Sequence, residues 1–263
     1  MKAYIMTDLE GVAGVVNPRD YIYWESRYYE KAKSLLTAEV NAAIAALNEE
    51  GADDILVADG HGYGGINMTE LDPAARYLRG FPDPWPFCLD SSFDVMLHVG
   101  QHAKAGTPKA HIAHTGSHNV IDYRINDISV GEFGQIAMCA CELGVMPIFG
   151  SGDLAFTKEA EALIPGIETV WVKEGLKEGS GDECTTEEYE ARNWEAIHFH
   201  PEVARKRIYE GVKRAIKRWK ENPQSFHPIQ LKPPYISVCE YRPDAGKRAF
   251  TVTKRNDNRV IDL

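Results

Sequence analysis

Strand and helix patterns alternate through the first two-thirds of the chain. The apolar run KAYIMT opens it, and DILVAD, DVMLHVG, MPIFG and TVWVKEG recur between stretches with helical periodicity. One helical stretch, residues 24–50, carries a stripe of four apolar residues: Leu36, Val40, Ile44 and Leu47. Alternation of this kind is typical of a parallel sheet covered by helices. We therefore predict an α/β fold with a mostly parallel sheet flanked by helices.

Short local signals locate other elements. The stretch IDYRINDISVG predicts a hairpin about Asn126 and Asp127, because Asn and Asp tolerate turn geometry. A helix is predicted from Glu132 to Leu143, and Asp153 is in position to cap the helix that follows it.

The last third of the chain predicts a smaller unit of mixed structure. The polar segment over residues 175–190 is typical of an exposed connection, and Pro201 suits the first turn of a helix. Two strand patterns, YISVCEY and AFTVTK, follow. We expect an α/β domain over residues 1–172 and a smaller α+β domain over residues 173–263.

Composition excludes several classes of function. The formal net charge of −10 argues against a nucleic-acid partner or an anionic membrane surface, since both require clustered Lys and Arg. No apolar run approaches the ~20 residues that span a bilayer. The five cysteines include no CxxC pair, which disfavours a disulfide framework and a thiolate zinc site. We expect a cytoplasmic protein.

Polar side chains follow each of the first three predicted strands. In open α/β sheets, ligands bind beyond the carboxyl ends of the strands, so these side chains are expected to converge. With Glu132, at the start of a later helix, they form a set of oxygen and nitrogen donors suited to zinc or manganese. Asp59 is expected to orient the ring of His61. The strand-end residues are Asp8 and Glu10, Asp59 and His61, and His98 and His102.

Charge favours two metal ions over one. Three carboxylates around one divalent ion leave a net charge of −1, whereas around two ions they leave +1, which a bound hydroxide would neutralise. A carboxylate such as Asp8 can bridge ions that lie about 3.5 to 4 Å apart. Taken singly, each residue is more often a helix cap, a surface residue or a structural residue. The prediction therefore rests on the whole set.

One motif supports a different class of protein. The stretch GHGYGG, residues 60–65, matches the glycine fingerprint of dinucleotide-binding proteins. Its context is poor, because Pro73 follows early and no second strand ending in an acid comes about 20 residues later. A dinucleotide-binding oxidoreductase is the less favoured alternative, and the glycines are better explained by a close approach of backbone to a site containing His61.

Histidines are concentrated in HAKAGTPKAHIAHTGSHN, which contains His102, His111, His114 and His118. A metal site needs one or two of them. The others are available for proton transfer or for holding an oxyanion.

Five of these motifs, in this order, resemble the zinc-dependent D-aminopeptidases first named as dipeptide-transport proteins. They are DLEG, DGHG, GQHAKAGTP, AHT and INDISVGEFG. The resemblance covers roughly residues 1–172. It implies a site with two divalent metal ions, which are zinc in the family. By the resemblance, Asp8 bridges the ions, Glu10 and His61 complete one site, and His102 and Glu132 complete the other.

The resemblance also implies an activity. It predicts removal of N-terminal residues, with D-amino acids preferred, from short peptides by attack of a metal-held hydroxide on the amide. His114 corresponds to the catalytic histidine of the family, with His111 as the fallback candidate. A homo-oligomer, in the family ring-shaped, is expected. Residues 175–190 depart from the family pattern, and a binuclear amidohydrolase acting on a non-peptide amide is the closest alternative.

Overall fold

Eleven strands and six helices form the regular structure of residues 1–83, 85–244 and 248–263, which this computed structural model describes. The strands are β1 (Lys2–Thr7), β2 (Asp54–Asp59), β3 (Arg76–Leu78), β4 (Val95–Gln101), β5 (Val120–Ile125), β6 (Ile128–Ser129), β7 (Met146–Asp153), β8 (Glu168–Gly175), β9 (Ala196–His198), β10 (Tyr235–Tyr241) and β11 (Phe250–Asn256). The helices are α1 (Pro18–Tyr21), α2 (Tyr29–Glu49), α3 (Glu132–Glu142), α4 (Leu154–Leu163), α5 (Thr186–Arg192) and α6 (Pro201–Glu221).

The main sheet has seven strands in the order β3-β2-β1-β4-β7-β8-β9. All neighbours are parallel except β8 and β9. The chain passes from β1 outward to β2 and β3, and then returns to the other side of β1 as β4. Strand β1 therefore lies at the point where the strand order reverses, where α/β sheets bind ligands. The predicted mostly parallel α/β fold is confirmed.

Both faces of the sheet are buried, which explains its continuous apolar strands. Side chains alternate along β1, so Ile5 packs in the cluster containing α2 and α6, whereas Tyr4 packs in the cluster containing α3 and α4. Helix α2 packs directly against α6 on the first face. No helix among the described residues is long and apolar enough to cross a membrane.

Two helix starts and one hairpin lie where the sequence predicts them. The Asp153 carboxylate accepts a hydrogen bond from the Phe156 amide (2.7 Å) and caps α4, and Pro201 occupies the first turn of α6. The predicted hairpin joins β5 to β6, with Asn126 and Asp127 at φ values of 47° and 64°.

Two predicted boundaries differ from the structure. The helix expected over residues 24–50 begins only at Tyr29, and a short helix, α1, precedes it. The segment 175–190, expected to be an exposed connection, ends in α5. The Thr185 hydroxyl accepts from the Glu188 amide while the Glu188 carboxylate accepts from the Thr185 amide, and this capping box starts the helix.

A second, four-stranded sheet has the antiparallel order β11-β10-β5-β6. Two of its strands precede residue 172 and two follow it, while α6 packs on the main sheet with α2. Both sheets therefore contain strands from each side of residue 172. The division into domains 1–172 and 173–263 stays a prediction.

Buried charged side chains hold the loop after β1. One Glu39 carboxylate oxygen accepts from the Ala13 amide (2.9 Å), and its other oxygen has no hydrogen-bond partner among the described residues. The Lys173 ammonium donates to the Val15 carbonyl (3.1 Å). Burial raises the pKa of Glu39 to about 7 and lowers the pKa of Lys173 to about 8. Both groups therefore titrate far from their usual ranges.

Glu39→Gln should change how stability depends on pH. From about pH 4.5 to about pH 7, the folded chain keeps a proton on Glu39 that the unfolded chain releases, so this group lowers the free energy of unfolding as pH rises. The variant keeps the oxygen acceptor but cannot titrate. Between these pH values, the free energy of unfolding of the wild type should fall by about 3 kcal/mol relative to that of Glu39→Gln. Urea unfolding at several pH values measures this difference.

The matched control is Glu25→Gln, which alters an exposed carboxylate and should follow the wild type at every pH. Parallel curves for the wild type and Glu39→Gln would contradict the raised pKa.

Candidate metal centre

The loop that follows β1 touches the end of β4 through the backbone. The Gly11 amide donates to the Gly100 carbonyl (2.7 Å). Gly100, in β4, has φ of 82°, and a Cβ there would lie 2.1 Å from the Asp8 carbonyl oxygen. A Cβ on Gly11 would lie 2.1 Å from the Gln101 carbonyl oxygen. Because neither position has a side chain, the loop and the strand end approach closely enough to bring Asp8 beside His102.

The first cluster of ligand-type atoms contains Asp8, Glu10 and His61, all buried, with one such atom from each within 4.8 Å of the others. The His61 Nδ1 atom is 3.2 Å from Glu10 Oε2 and 3.6 Å from Asp8 Oδ1. Its Nε2 atom is 3.0 Å from the Ile22 carbonyl oxygen, so Nε2 carries the hydrogen and donates. The Nδ1 lone pair therefore faces the two carboxylates.

The second cluster contains His102, His114 and Glu132. The His102 Nε2 atom is 3.5 Å from Glu132 Oε1 and 3.1 Å from Asp8 Oδ2. Its Nδ1 atom donates to the Ala103 carbonyl (2.9 Å), which leaves the Nε2 lone pair facing the carboxylates.

Asp8 joins the two clusters into one site. Its Oδ1 atom faces His61, and its Oδ2 atom faces His102. The Gln101 side-chain amide donates to Asp8 Oδ2 (3.2 Å) and to the His102 carbonyl (3.2 Å), which fixes the carboxylate between the two rings. The residues of both clusters except His102 line a cavity of about 520 Å³.

His114 belongs to the same site. Its Nδ1 atom donates to the Ile112 carbonyl (2.9 Å), and its Nε2 atom lies 3.7 Å from Glu132 Oε1. Its ring stacks between His102 and His118, with centroid separations of 3.9 Å and 4.6 Å. These contacts fix the position and the tautomer of His114, and leave Nε2 directed at the site.

The ionisable groups of the site shift one another's pKa values. Burial lowers the pKa of His61 and His102, but the neighbouring carboxylates raise both well above the ordinary value. Burial and the charge of Glu10 raise the pKa of Asp8. Burial also acts to raise the pKa of Glu132, but the charge and hydrogen bond of His102 outweigh it and lower that pKa to about 2. Buried carboxylates held this close repel one another, and a cation among them would relieve that repulsion.

Three sequence-predicted residues lie outside the clusters. Asp59 accepts from the Gly65 amide and the Tyr77 hydroxyl, and makes no hydrogen bond to His61, so its expected orienting role is wrong. The ring of His98 packs 5.6 Å from that of Phe133. The fallback residue His111 donates from Nε2 to a backbone carbonyl, and its pKa is lowered to about 2, chiefly by burial.

The glycine motif after β2 does not form a dinucleotide site. No helix follows it in residues 60–75, all of which are described. The Gly65 and Ile66 amides, which a phosphate would need, donate to Asp59 instead. This geometry argues against the oxidoreductase alternative.

Sequence reasoning missed several residues that line or support the cavity. Gln101 ends β4 beside His102, and its position next to a strand-end ligand was a usable signal. Tyr23 donates a hydrogen bond to Glu190, and both line the cavity, but they lie 167 residues apart. The sequence marks His118 only as one of several histidines in one segment. No local pattern connects Glu190, on α5, with the strand ends.

Known proteins of one family are similar to this chain. A family model described as D-aminopeptidase matches residues 1–261, well beyond residue 172. A D-aminopeptidase of Bacillus subtilis (strain 168) is 34% identical over 180 residues, which cover 67% of this chain and 65% of that protein. The match therefore spans slightly less than two thirds of the relative.

A solved structure supports the fold. The Zn-dependent D-aminopeptidase DppA from Bacillus subtilis, described as a self-compartmentalizing protease, superposes with a TM-score of 0.84 at 24% identity. The superposition covers 99% of this chain and 93% of that one. On the match over residues 1–261, this chain belongs to the D-aminopeptidase family.

Proposed function

We propose that this chain is a metal-dependent aminopeptidase that removes the N-terminal residue, preferably a D-amino acid, from short peptides. The observation that carries the proposal is the pair of ligand clusters joined by Asp8, which lies at the reversal point of the sheet. Membership of the D-aminopeptidase family and the names of both relatives support the same activity.

The donor set fits two divalent metal ions, and zinc is the ion named for the related structure. Asp8, Glu10 and His61 would hold one ion, while Asp8, His102 and Glu132 would hold the other. Glu10 Oε2 and His102 Nε2 are buried and have no hydrogen-bond partner within the described parts of the chain, as expected of atoms that bind a metal. When bound, the ions would polarise a peptide carbonyl and activate water.

The chain's own groups provide positioning and proton transfer. Because the Nδ1 hydrogen of His114 is committed to the Ile112 carbonyl, Nε2 is the atom that exchanges a proton with the departing amine. The Gly116 amide donates to Glu132 (2.7 Å) and holds that carboxylate in place. The carboxylate of Glu190 adds negative charge to the cavity lining, which suits the ammonium group of a free N-terminus.

A homo-oligomer is part of this proposal, because the related structure is described as self-compartmentalizing. Enclosure within such an assembly would restrict substrates to short peptides.

Asp8→Ala should remove both metal ions, because this carboxylate faces a ligand of each cluster and is the one residue proposed to hold both ions. We expect two zinc ions per chain in the wild type and none in the variant, measured by elemental analysis after dialysis, with loss of nearly all activity. Asp90→Ala, which alters an exposed aspartate, is the control and should keep both ions. A variant at Asp8 that still bound two ions would refute the bridging role.

His114→Ala should keep both ions and lose turnover. Removal of a proton-transfer group lowers kcat by about 10²- to 10⁴-fold, and the five proposed ligand residues are untouched. The measurement is kcat together with the zinc content of the same sample, and the exposed His227 supplies the control, His227→Ala. Loss of one ion would instead make His114 a ligand, and full activity would remove it from the mechanism.

Substrate preference distinguishes this proposal from the alternative of an amidohydrolase that acts on non-peptide amides. The zinc-loaded protein should hydrolyse D-alanyl di- and tripeptides faster than their L-alanyl counterparts, and N-acetylated peptides and simple amides should be poor substrates. Rates are followed by release of the free amino acid. Faster turnover of a simple amide than of any aminoacyl peptide would favour the alternative.

A further inference from the structure

A smaller pocket opens beside the metal centre. Its volume is about 210 Å³, and four of its lining residues, Asp8, Gly60, Gly116 and Glu132, also line the larger cavity. The two spaces are therefore adjacent at the candidate ligands. The remaining wall of this space, which we call the side pocket, includes Met6, Trp85, Phe87, His98, Gln135 and Ile136.

The aromatic wall of the side pocket is held in place by its own contacts. The Trp85 indole N–H donates to Cys139 Sγ (3.1 Å), and the Trp85 ring packs edge-on to that of Phe87 at 4.6 Å. The Tyr4 hydroxyl donates to the Phe87 carbonyl (2.9 Å). These contacts fix the two rings that form one wall of the pocket.

The lining of the side pocket disfavours charged groups. Its described lining contains no Lys or Arg, and its two acids, Asp8 and Glu132, are the candidate metal ligands. Burial lowers the pKa of His98 to about 3, so this ring supplies no positive charge near neutral pH. A charged side chain entering this space would lose its hydration and meet no opposite charge other than the two candidate ligands. An apolar side chain would exchange water for the rings of Trp85 and Phe87.

The volume indicates the size of the occupant. An apolar cavity of about 150 Å³ is large enough to bind benzene. A pocket of about 210 Å³ therefore accepts a phenyl ring or a branched aliphatic side chain. The methyl group of alanine would leave most of it unfilled.

We propose that the side pocket receives the side chain of the N-terminal residue of the substrate and selects large apolar side chains, aromatic or branched aliphatic, over small or charged ones. This inference rests on the proposed aminopeptidase function, because the pocket is adjacent to the carboxylates that would hold the reacting carbonyl's metal ions.

The first test compares substrates. The series X-Gly-Gly, with X as alanine, leucine, phenylalanine, glutamate or lysine in both configurations, is assayed with the zinc-loaded protein. For the preferred configuration, kcat/KM should be at least about tenfold higher for phenylalanine and leucine than for alanine. It should be lowest for the charged residues. A series in which alanine equals or exceeds both large residues would overturn the inference while leaving the aminopeptidase proposal standing.

The second test fills the pocket. Ile136→Phe places a larger side chain on the wall formed by α3, so the ratio of kcat/KM for phenylalanine to that for alanine should fall about tenfold or more. Ile197→Phe makes the same substitution at a side chain that is 60% exposed on β9, and it should leave the ratio unchanged. If Ile136→Phe fails to fold, Gln135→Phe at a half-buried position of the same wall replaces it, and the same fall in the kcat/KM ratio is expected. An unchanged ratio in the filled variant overturns the assignment.

A binding measurement separates failure of the pocket from failure of the function. If no aminoacyl peptide is hydrolysed, the proposed function is wrong, and calorimetry with free phenylalanine and alanine then tests the side pocket alone. Tighter binding of phenylalanine by at least about tenfold, lost in Ile136→Phe, would sustain the pocket's selectivity. Equal binding of the two amino acids would reject it.

Discussion

The contact between the backbones of Gly11 and Gly100 is the constraint on which the candidate centre depends. It closes the gap between the loop after β1 and the end of β4, and each glycine is required because a Cβ would overlap a backbone carbonyl oxygen of the opposite segment. The strand order completes the arrangement. Since β1 lies between β2 and β4, His61 and His102 approach Asp8 from opposite sides, and its two oxygens face two different rings.

Burial of so many acids is costly unless the surroundings compensate. Dehydration of each charged group costs several kcal/mol, and like charges add repulsion. Three features offset this in the chain itself: the imidazole rings facing Asp8 and Glu132, the Gln101 amide, and the ammonium group of Lys173, whose positive charge is felt at Glu10 and Asp8. The carboxylate charge that remains would favour a bound cation. The charges of Asp153 and Glu39, and then of Glu10 and Asp8, in turn favour the ammonium form of Lys173 in its fully buried position.

Much of this arrangement follows from local sequence rules. Parallel strands place their carboxyl ends together, so Asp8, His61 and His102 could be grouped without coordinates, and the hairpin at Asn126 and Asp127 follows from turn chemistry. The position of the His98 side chain outside the ligand clusters could not be predicted. Strand alternation alone puts it on the same face as His102, but the left-handed conformation of Gly100 and a register shift in β4 redirect the chain, so His98 stays against Phe133.

Arg242 links the C-terminal strands to the loops around the centre. Its buried guanidinium donates to the carbonyls of His118 and Gly181 and lies 3.7 Å from the centroid of the Tyr189 ring. The Tyr189 hydroxyl in turn accepts from the Gly106 amide (2.8 Å). One buried side chain thus contacts two separate stretches around the cavity, at residue 118 and over residues 181–189. A displacement of the end of β10 would therefore be transmitted through Arg242 to both stretches at once.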